Sequence, residues 1–124
     1  MKLIDASSAK VFTMHDAIFT GLASPSRGSE ENAAWIVELT SNKPGVAHQL
    51  TREEIFICLQ GAAQVSMEET HYPLSAGACL IVPAHTRFSI SKTSEENFRA
   101  VAILPVGAEA KLENGQTFMP PWAV

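Results

Sequence analysis

The feature that most constrains this chain is a series of short apolar segments, rich in Val, Ile and Phe, separated by turn residues. Helical periodicity is nearly absent. Short strands at regular spacing are typical of a β-sandwich or β-barrel, so the sequence predicts an all-β fold. The predicted strands are Val11–Thr13, Ile18–Ala23, Ala34–Thr40, His48–Leu50, Glu54–Gln60, Ala62–Met67, His71–Pro73, Ala78–Val82, Phe88–Ser91 and Phe98–Leu104.

Three of the predicted strands are apolar at both alternating positions, namely the segments 55–59, 78–82 and 100–104. Successive side chains of a strand point to opposite faces, so these strands need cover on both faces. A barrel interior covers one face. A second subunit or the chain's own ends must cover the other. We expect a homodimer, because symmetric dimers are the commonest oligomers.

Length and charge restrict the class of protein further. A chain of 124 residues predicts one domain, large enough to bury its own core. The net charge of −4, without a basic cluster, argues against nucleic acid and anionic membranes as partners. Asp5 interrupts the apolar start of the chain, and no apolar run is long enough to span a membrane. We therefore expect a cytoplasmic protein in which Cys58 and Cys79 are free, buried thiols.

The stretch from Gly45 to Gly61 carries polar residues at the spacing of a metal-site motif. It resembles the first motif of the cupin superfamily, G-x5-H-x-H-x3,4-E-x6-G. His48 takes the first histidine position, Leu50 the second and Glu54 the carboxylate position. Gly61 takes the closing glycine position, whereas Gly45 lies three residues before the histidine instead of six.

The stretch from Gly77 to Lys92 resembles the second cupin motif, G-x5-P-x-G-x2-H-x3-N. Gly77 and Pro83 match that motif. His85 stands where the family has glycine, Phe88 where it has the last ligand histidine, and Lys92 where it has asparagine. Two of the four metal-ligand positions of the two motifs are therefore retained.

The resemblance covers about residues 37–104 and implies a small cupin, an antiparallel double-sheet β-barrel of the jelly-roll kind. We expect residues 1–124 to form a single cupin barrel domain, and dimers are usual in this family. Prolines restrict the C-terminal segment Pro120-Pro121-Trp122, and its tryptophan favours burial. This segment and the N-terminal strands should therefore pack on the barrel or on a partner subunit.

The resemblance also places one face of each motif strand inside the barrel. Strand alternation then groups side chains two residues apart on that face. A carboxylate among apolar side chains is expected to have a raised pKa, which suits acid–base chemistry or recognition of a polar ligand group. The candidate ligand-binding residues are His48, Leu50, Glu54, Phe56, Cys58 and Phe88.

A cupin metal site needs imidazole and carboxylate donors that leave coordination positions open. Leu50 and Phe88 cannot donate, and two ligands, His48 and Glu54, hold a divalent ion weakly. We therefore expect no tightly bound cofactor. The alternative is a weakly bound divalent transition metal with His85 as a third ligand. Strand alternation opposes this alternative, since His85 lies at an odd offset from the lost ligand position.

Three functions stay open on this evidence. The first is binding of a small organic molecule in a mostly apolar barrel cavity with His48 and Glu54 as its polar groups. The second is an enzyme, either a metal-dependent oxygenase or isomerase or a metal-free acid–base catalyst. The third is a structural or regulatory dimer with a vestigial pocket, in which the two polar residues only satisfy each other. The sequence favours the first; His15 and His71 are expected to be surface residues.

Overall fold

In the computed structural model, which describes residues 1–124, two six-stranded antiparallel sheets pack face to face. The strands are β1 Lys10–Met14, β2 Ala17–Ala23, β3 Asn32–Leu39, β4 His48–Leu50, β5 Glu54–Gln60, β6 Ala62–Met67, β7 Thr70–Ser75, β8 Cys79–Val82, β9 Phe88–Lys92, β10 Phe98–Pro105, β11 Ala110–Leu112 and β12 Thr117–Phe118. One sheet has the order β1-β2-β3-β10-β5-β8 and the other β12-β11-β4-β9-β6-β7. The predicted all-β jelly-roll fold is confirmed.

All ten predicted strands are present, most with ends that differ by one or two residues, and the sequence analysis missed β11 and β12. These two strands have only three and two residues, which is too short to show an apolar alternation that would identify them. Asn114-Gly115 lies in the turn between them, and Gly115 has a φ of +86°. An Asn-Gly pair is a strong hairpin signal and would have located both strands.

The core lies between the two sheets and follows strict alternation. In β10, Phe98, Ala100, Ala102 and Leu104 are fully buried, while the residues between them are partly exposed. The same pattern puts Phe56 and Cys58 of β5 inside. Register errors of one residue would move these side chains to solvent, so burial fixes the pairing of the strands.

Three short 3₁₀ helices complete the chain: Ala6–Ser8, Pro25–Arg27 and Pro121–Ala123. The last of them carries Trp122, which packs against Phe12, Phe19 and Trp35 on the inner side of the first sheet. The C-terminal segment thus lies on its own barrel and not on the outer face of β5, β8 and β10. None of the helices is long and apolar enough to cross a membrane.

The outer face of the first sheet is apolar and open. Leu59 and Ile81 are 47% and 57% exposed, respectively. Cys79 is a free thiol on the same face, and it is exposed, contrary to our expectation that both cysteines are buried. The reason is its parity: β8 is an edge strand, and its outward positions have no covering layer within this chain.

Candidate functional site

A cavity of about 140 Å³ lies between the two sheets. Twenty residues line it, of which fifteen are hydrophobic. His15 is exposed and marks the solvent side of the cavity. The lining residues are Met14, His15, Ala17, Phe19, Trp35, Val37, Leu39, Gly45, Val46, His48, Leu50, Glu54, Phe56, Ile90, Phe98, Ala110, Leu112, Phe118, Pro120 and Trp122.

Glu54 is the only carboxylic acid that lines the cavity. Glu54 is the first residue of β5 and occupies an inward-facing position, where it is only 4% exposed. Its Oε1 atom is buried and has no hydrogen-bond partner. Desolvation raises the pKa of Glu54 from 4.5 to about 8. The side chain is therefore a neutral acid at pH 7, with an O–H group and a carbonyl oxygen to offer.

His48 lies on β4 and lines the same cavity. Its Nδ1 atom is 2.8 Å from the carbonyl oxygen of Val46. A carbonyl oxygen only accepts, so this contact assigns the ring proton to Nδ1 and leaves the lone pair on Nε2. Burial lowers the pKa of His48, and the hydrogen bond to Val46 partly opposes that shift. The imidazole is therefore a neutral base.

A close backbone approach holds the segment before β4 against β9. A Cβ atom at Gly45 would clash with the carbonyl oxygen of Ile90, so only glycine fits. The Gly45 amide also donates to Ser91 Oγ at 2.9 Å. In the register that follows, His48 pairs with Phe88, and the two ring centroids are 4.6 Å apart. The glycine that departs from the motif spacing thus positions the histidine.

Four of the six predicted ligand-binding residues line the cavity together: His48, Leu50, Glu54 and Phe56. The other two do not reach it. Phe88 is buried next to the imidazole and the Phe56 ring, with a centroid distance of 5.9 Å to the latter. Cys58 shares strand parity with Glu54, but Phe56 is the last residue of β5 that lines the cavity. The Sγ atom of Cys58 instead contacts the Gln60 carbonyl oxygen at 3.6 Å.

His85 does not join His48 and Glu54. Its side chain is exposed, its φ is +60°, and its amide donates to the Leu50 carbonyl at 2.7 Å. It therefore adopts the left-handed conformation that the glycine of the motif would adopt, which corrects the alternative of a three-ligand set. No group of three or more His, Cys, Asp or Glu side chains is placed to hold a metal ion. Of the three metal-ligand candidates predicted from the sequence, only His48 and Glu54 line the cavity.

Lys92, at the asparagine position of the second motif, has a structural role. It is buried, and its Nζ donates to the carbonyl oxygens of Ser94 and Glu95 at 2.7 and 3.1 Å. These bonds compensate the burial of a charge. The lysine therefore fixes the turn after β9 and does not line the cavity.

The sequence analysis missed the aromatic wall of the cavity. Trp122 stacks on Phe19 with ring centroids 3.6 Å apart and an interplanar angle of 4°. Trp35 meets Trp122 edge to face at 6.3 Å. The Trp122 Nε1 atom is buried and has no hydrogen-bond partner. The Pro-Pro-Trp signal predicted docking of this segment, but not that it would close the cavity.

The segment that contains His48 and Glu54 matches a known protein family. The family model Cupin_2, described as a cupin domain, matches residues 35–104. This match covers more than half of the chain, and the protein therefore belongs to the Cupin_2 family. It spans both motifs, including His48, Glu54 and Phe88. Comparison with curated proteins finds no match.

Solved structures share the fold at low sequence identity. The polyketide cyclase RemF from Streptomyces resistomycificus is 12% identical with a TM-score of 0.80, over 98% of this chain and 88% of that one. KdgF from Halomonas sp. is 20% identical with a TM-score of 0.70, over 85% and 94%. Hydroxypropylphosphonic acid epoxidase from S. wedmorenis is 11% identical with a TM-score of 0.71, over 83% and 58%. These similarities support the fold and leave the activity undetermined.

Proposed function

We propose that this cupin binds a small organic molecule in its barrel cavity, with the neutral carboxyl group of Glu54 as the polar anchor. One observation carries the proposal: Glu54 Oε1 is buried without a partner in a cavity otherwise lined mainly by hydrophobic side chains. A buried polar atom without a partner costs about 1–3 kcal/mol. A ligand that supplies the missing hydrogen bond would recover that free energy on binding.

The surroundings favour a neutral ligand. No Lys or Arg side chain lines the cavity, and Glu54 and His48 are both held in their uncharged forms by burial. A charged ligand would gain a counter-charge only if Glu54 or His48 ionised inside the cavity, and burial opposes both ionisations. The size is also limiting, since a cavity of about 150 Å³ in another protein accommodates benzene. The proposed ligand is thus neutral and about the size of one ring with a substituent.

A metal-dependent enzyme is the second candidate. The Fe(II) form of HppE is among the proteins with this fold, at 11% identity and a TM-score of 0.70. His48 and Glu54 retain two ligand positions of the cupin motifs. Against this candidate, Leu50 and Phe88 offer no donor atom at the other two. A metal-free acid–base catalyst requires only the neutral imidazole and neutral carboxyl group that line one cavity.

The binding proposal is tested by screening neutral fragments against the ¹⁵N-labelled protein by NMR. Binders should perturb residues around the cavity, and Glu54→Ala and His48→Ala should weaken them while the fold is retained. Glu53→Ala is the matched control, because Glu53 is the exposed neighbour on the opposite face of the chain. Fragments that bind both cavity variants as tightly as the control would place the functional site elsewhere.

We also propose that a second copy of the chain covers the outer face of the first sheet. Two cross-strand rows carry this proposal: Val101 pairs with Ile57, and Ile103 pairs with Ile55. In the second row Ile55 also pairs with Ile81 of the edge strand. Continuous apolar rows of this kind are unusual on a free surface.

The charges beside these rows favour a second copy over a charged partner. Arg99 and Glu38 face each other in register on the same sheet, so both signs are present side by side. A two-fold related copy presents the same pair and is complementary to it.

Sedimentation at micromolar concentration should show a dimer that Ile57→Lys dissociates. Tyr72→Lys, at an exposed position of the other sheet, should leave the dimer intact. A wild-type monomer would overturn this proposal.

A further inference from the structure

Unpartnered polar atoms identify a second contact point in the cavity. Only three buried side-chain polar atoms in the chain have no hydrogen-bond partner: Ser29 Oγ, Glu54 Oε1 and Trp122 Nε1. Two of these three belong to residues that line the cavity. Buried indole N–H groups usually find a partner. A ligand in the cavity can therefore supply the acceptor that Trp122 Nε1 lacks.

The Trp122 indole N–H group and the Glu54 carboxyl group need different hydrogen-bond partners. An indole N–H group only donates, so Trp122 needs an acceptor. A protonated carboxyl group both donates and accepts, and its unpartnered Oε1 is matched by a hydroxyl group. The two residues come from different parts of the fold, β5 and the C-terminal 3₁₀ helix. A single ligand with two polar groups would satisfy both.

Aromatic side chains shape the rest of the cavity. Phe19, Trp35, Phe56 and Phe98 all line it. Aromatic rings stabilise one another in offset-stacked and edge-to-face arrangements. The volume of about 140 Å³ leaves room for one ring. A planar ring with its polar groups on the rim fits this lining better than a flexible aliphatic chain.

We propose that the ligand is a neutral aromatic molecule with two hydrogen-bonding groups, a carbonyl oxygen that accepts from Trp122 Nε1 and a hydroxyl group that pairs with the Glu54 carboxyl. This inference rests on the proposed binding function and adds the chemical class of the ligand. It also makes the C-terminal segment part of the site. Trp122 is thus a specificity-determining residue as well as a core side chain.

Four probes of similar size separate the two contacts. They are 4′-hydroxyacetophenone with both groups, acetophenone with the carbonyl alone, 4-ethylphenol with the hydroxyl alone, and 4-ethyltoluene with neither. Ethylbenzene, which also has neither group, is the matched reference for acetophenone. Affinities are measured by NMR titration. Each hydrogen bond is expected to improve the dissociation constant by roughly 2- to 10-fold. The compound with both groups should therefore bind most tightly and 4-ethyltoluene most weakly.

Two protein variants assign each contact to its residue. Trp122→Phe keeps an aromatic ring but removes the N–H group, so it should abolish the advantage of acetophenone over ethylbenzene, its reduced analogue. Glu54→Leu should abolish the advantage of 4-ethylphenol over 4-ethyltoluene. Each variant should leave the preference of the other residue in place. A preference that survives the removal of its assigned partner would overturn the inference.

A second readout does not depend on the folding of the Trp122 variant. The protein has two tryptophans, and Trp35→Phe identifies the indole N–H signal of Trp122. Acetophenone should shift that signal downfield, and ethylbenzene should shift it less. Equal affinity for all four probes would overturn the ligand class and leave the binding function standing. If no probe bound up to millimolar concentration, the ligand class would be overturned, and fragments of other chemistry would then decide the binding function.

Discussion

Replacing Glu54 by Gln should increase the free energy of unfolding by an amount that grows with pH. In the unfolded chain this carboxyl ionises around 4.5, whereas burial in the fold raises its pKa to about 8. Because the folded pKa is the higher one, the wild-type protein is most stable below pH 4.5 and loses stability as the pH rises toward 8. The amide side chain of the Glu54→Gln variant cannot ionise, so the variant is free of this loss.

The magnitude follows from the size of the shift. Each pH unit between the two pKa values changes the free energy of unfolding by about 1.4 kcal/mol per group. From pH 4.5 to pH 7 the wild type should therefore lose about 3 kcal/mol relative to Glu54→Gln. This is a large part of the roughly 5–15 kcal/mol that stabilises an ordinary domain.

Urea unfolding at pH 5, 6, 7 and 8 measures this difference, with wild type, Glu54→Gln and Glu53→Gln compared at each pH. Other titrating groups, including His48, are present in all three proteins and largely cancel. Glu53 is exposed, so its variant should follow the wild type. A difference between Glu54→Gln and wild type that stays constant from pH 5 to 8 would overturn the prediction, since it would mean that Glu54 ionises normally in the fold.

Three further predictions concern the metal positions and the C-terminal segment. Protein purified without added metal should contain far less than one transition ion per chain by elemental analysis, because two donors hold an ion weakly; stoichiometric metal after dialysis would contradict this. The double variant Leu50→His, Phe88→His should bind Zn²⁺ more tightly in calorimetry, and a folded variant without that gain would show that these side chains do not converge with His48. Deleting Pro120–Val124 should lower the free energy of unfolding by about 2 kcal/mol or more, since Trp122 is buried. Deleting Val124 alone is its control, and equal losses in the two deletions would contradict it.

The fold was predictable because strand alternation, turn residues and the spacing of the two cupin motifs all indicate the same structure. Gly61 has a φ of +74°, and a Cβ there would lie 2.6 Å from the Asn97 carbonyl oxygen, so the motif glycine marks a turn that other residues cannot form. Strand alternation grouped Glu54 and Phe56 on one face of β5, and the resemblance to cupins placed that face inside the barrel. These features depend on neighbours in sequence, which a single chain displays directly.

The remaining part of the site depends on contacts that sequence periodicity does not record. Trp122 reaches the cavity because the C-terminal segment crosses the inner side of β1, β2 and β3. Nothing in the sequence around Trp122 shows whether this side chain packs on the inner or the outer face of the sheet. Strand alternation correctly placed Cys58 on the inner face of β5, but it does not show how far the cavity extends along the strand, and the cavity lining ends at Phe56. His15 reaches the cavity through a turn with left-handed backbone at both residues 15 and 16.

A neutral acid inside the barrel is the group that we propose meets the ligand. Carbon-13 NMR of the Glu54 side-chain carboxyl in metal-free protein tests this most directly, with Glu54→Gln used to assign the signal. The carboxyl should keep the chemical shift of a protonated acid through pH 7, titrate with a pKa of about 8, and move when 4′-hydroxyacetophenone is added. A signal that titrates near its ordinary pKa and does not respond to the probe would contradict the proposal.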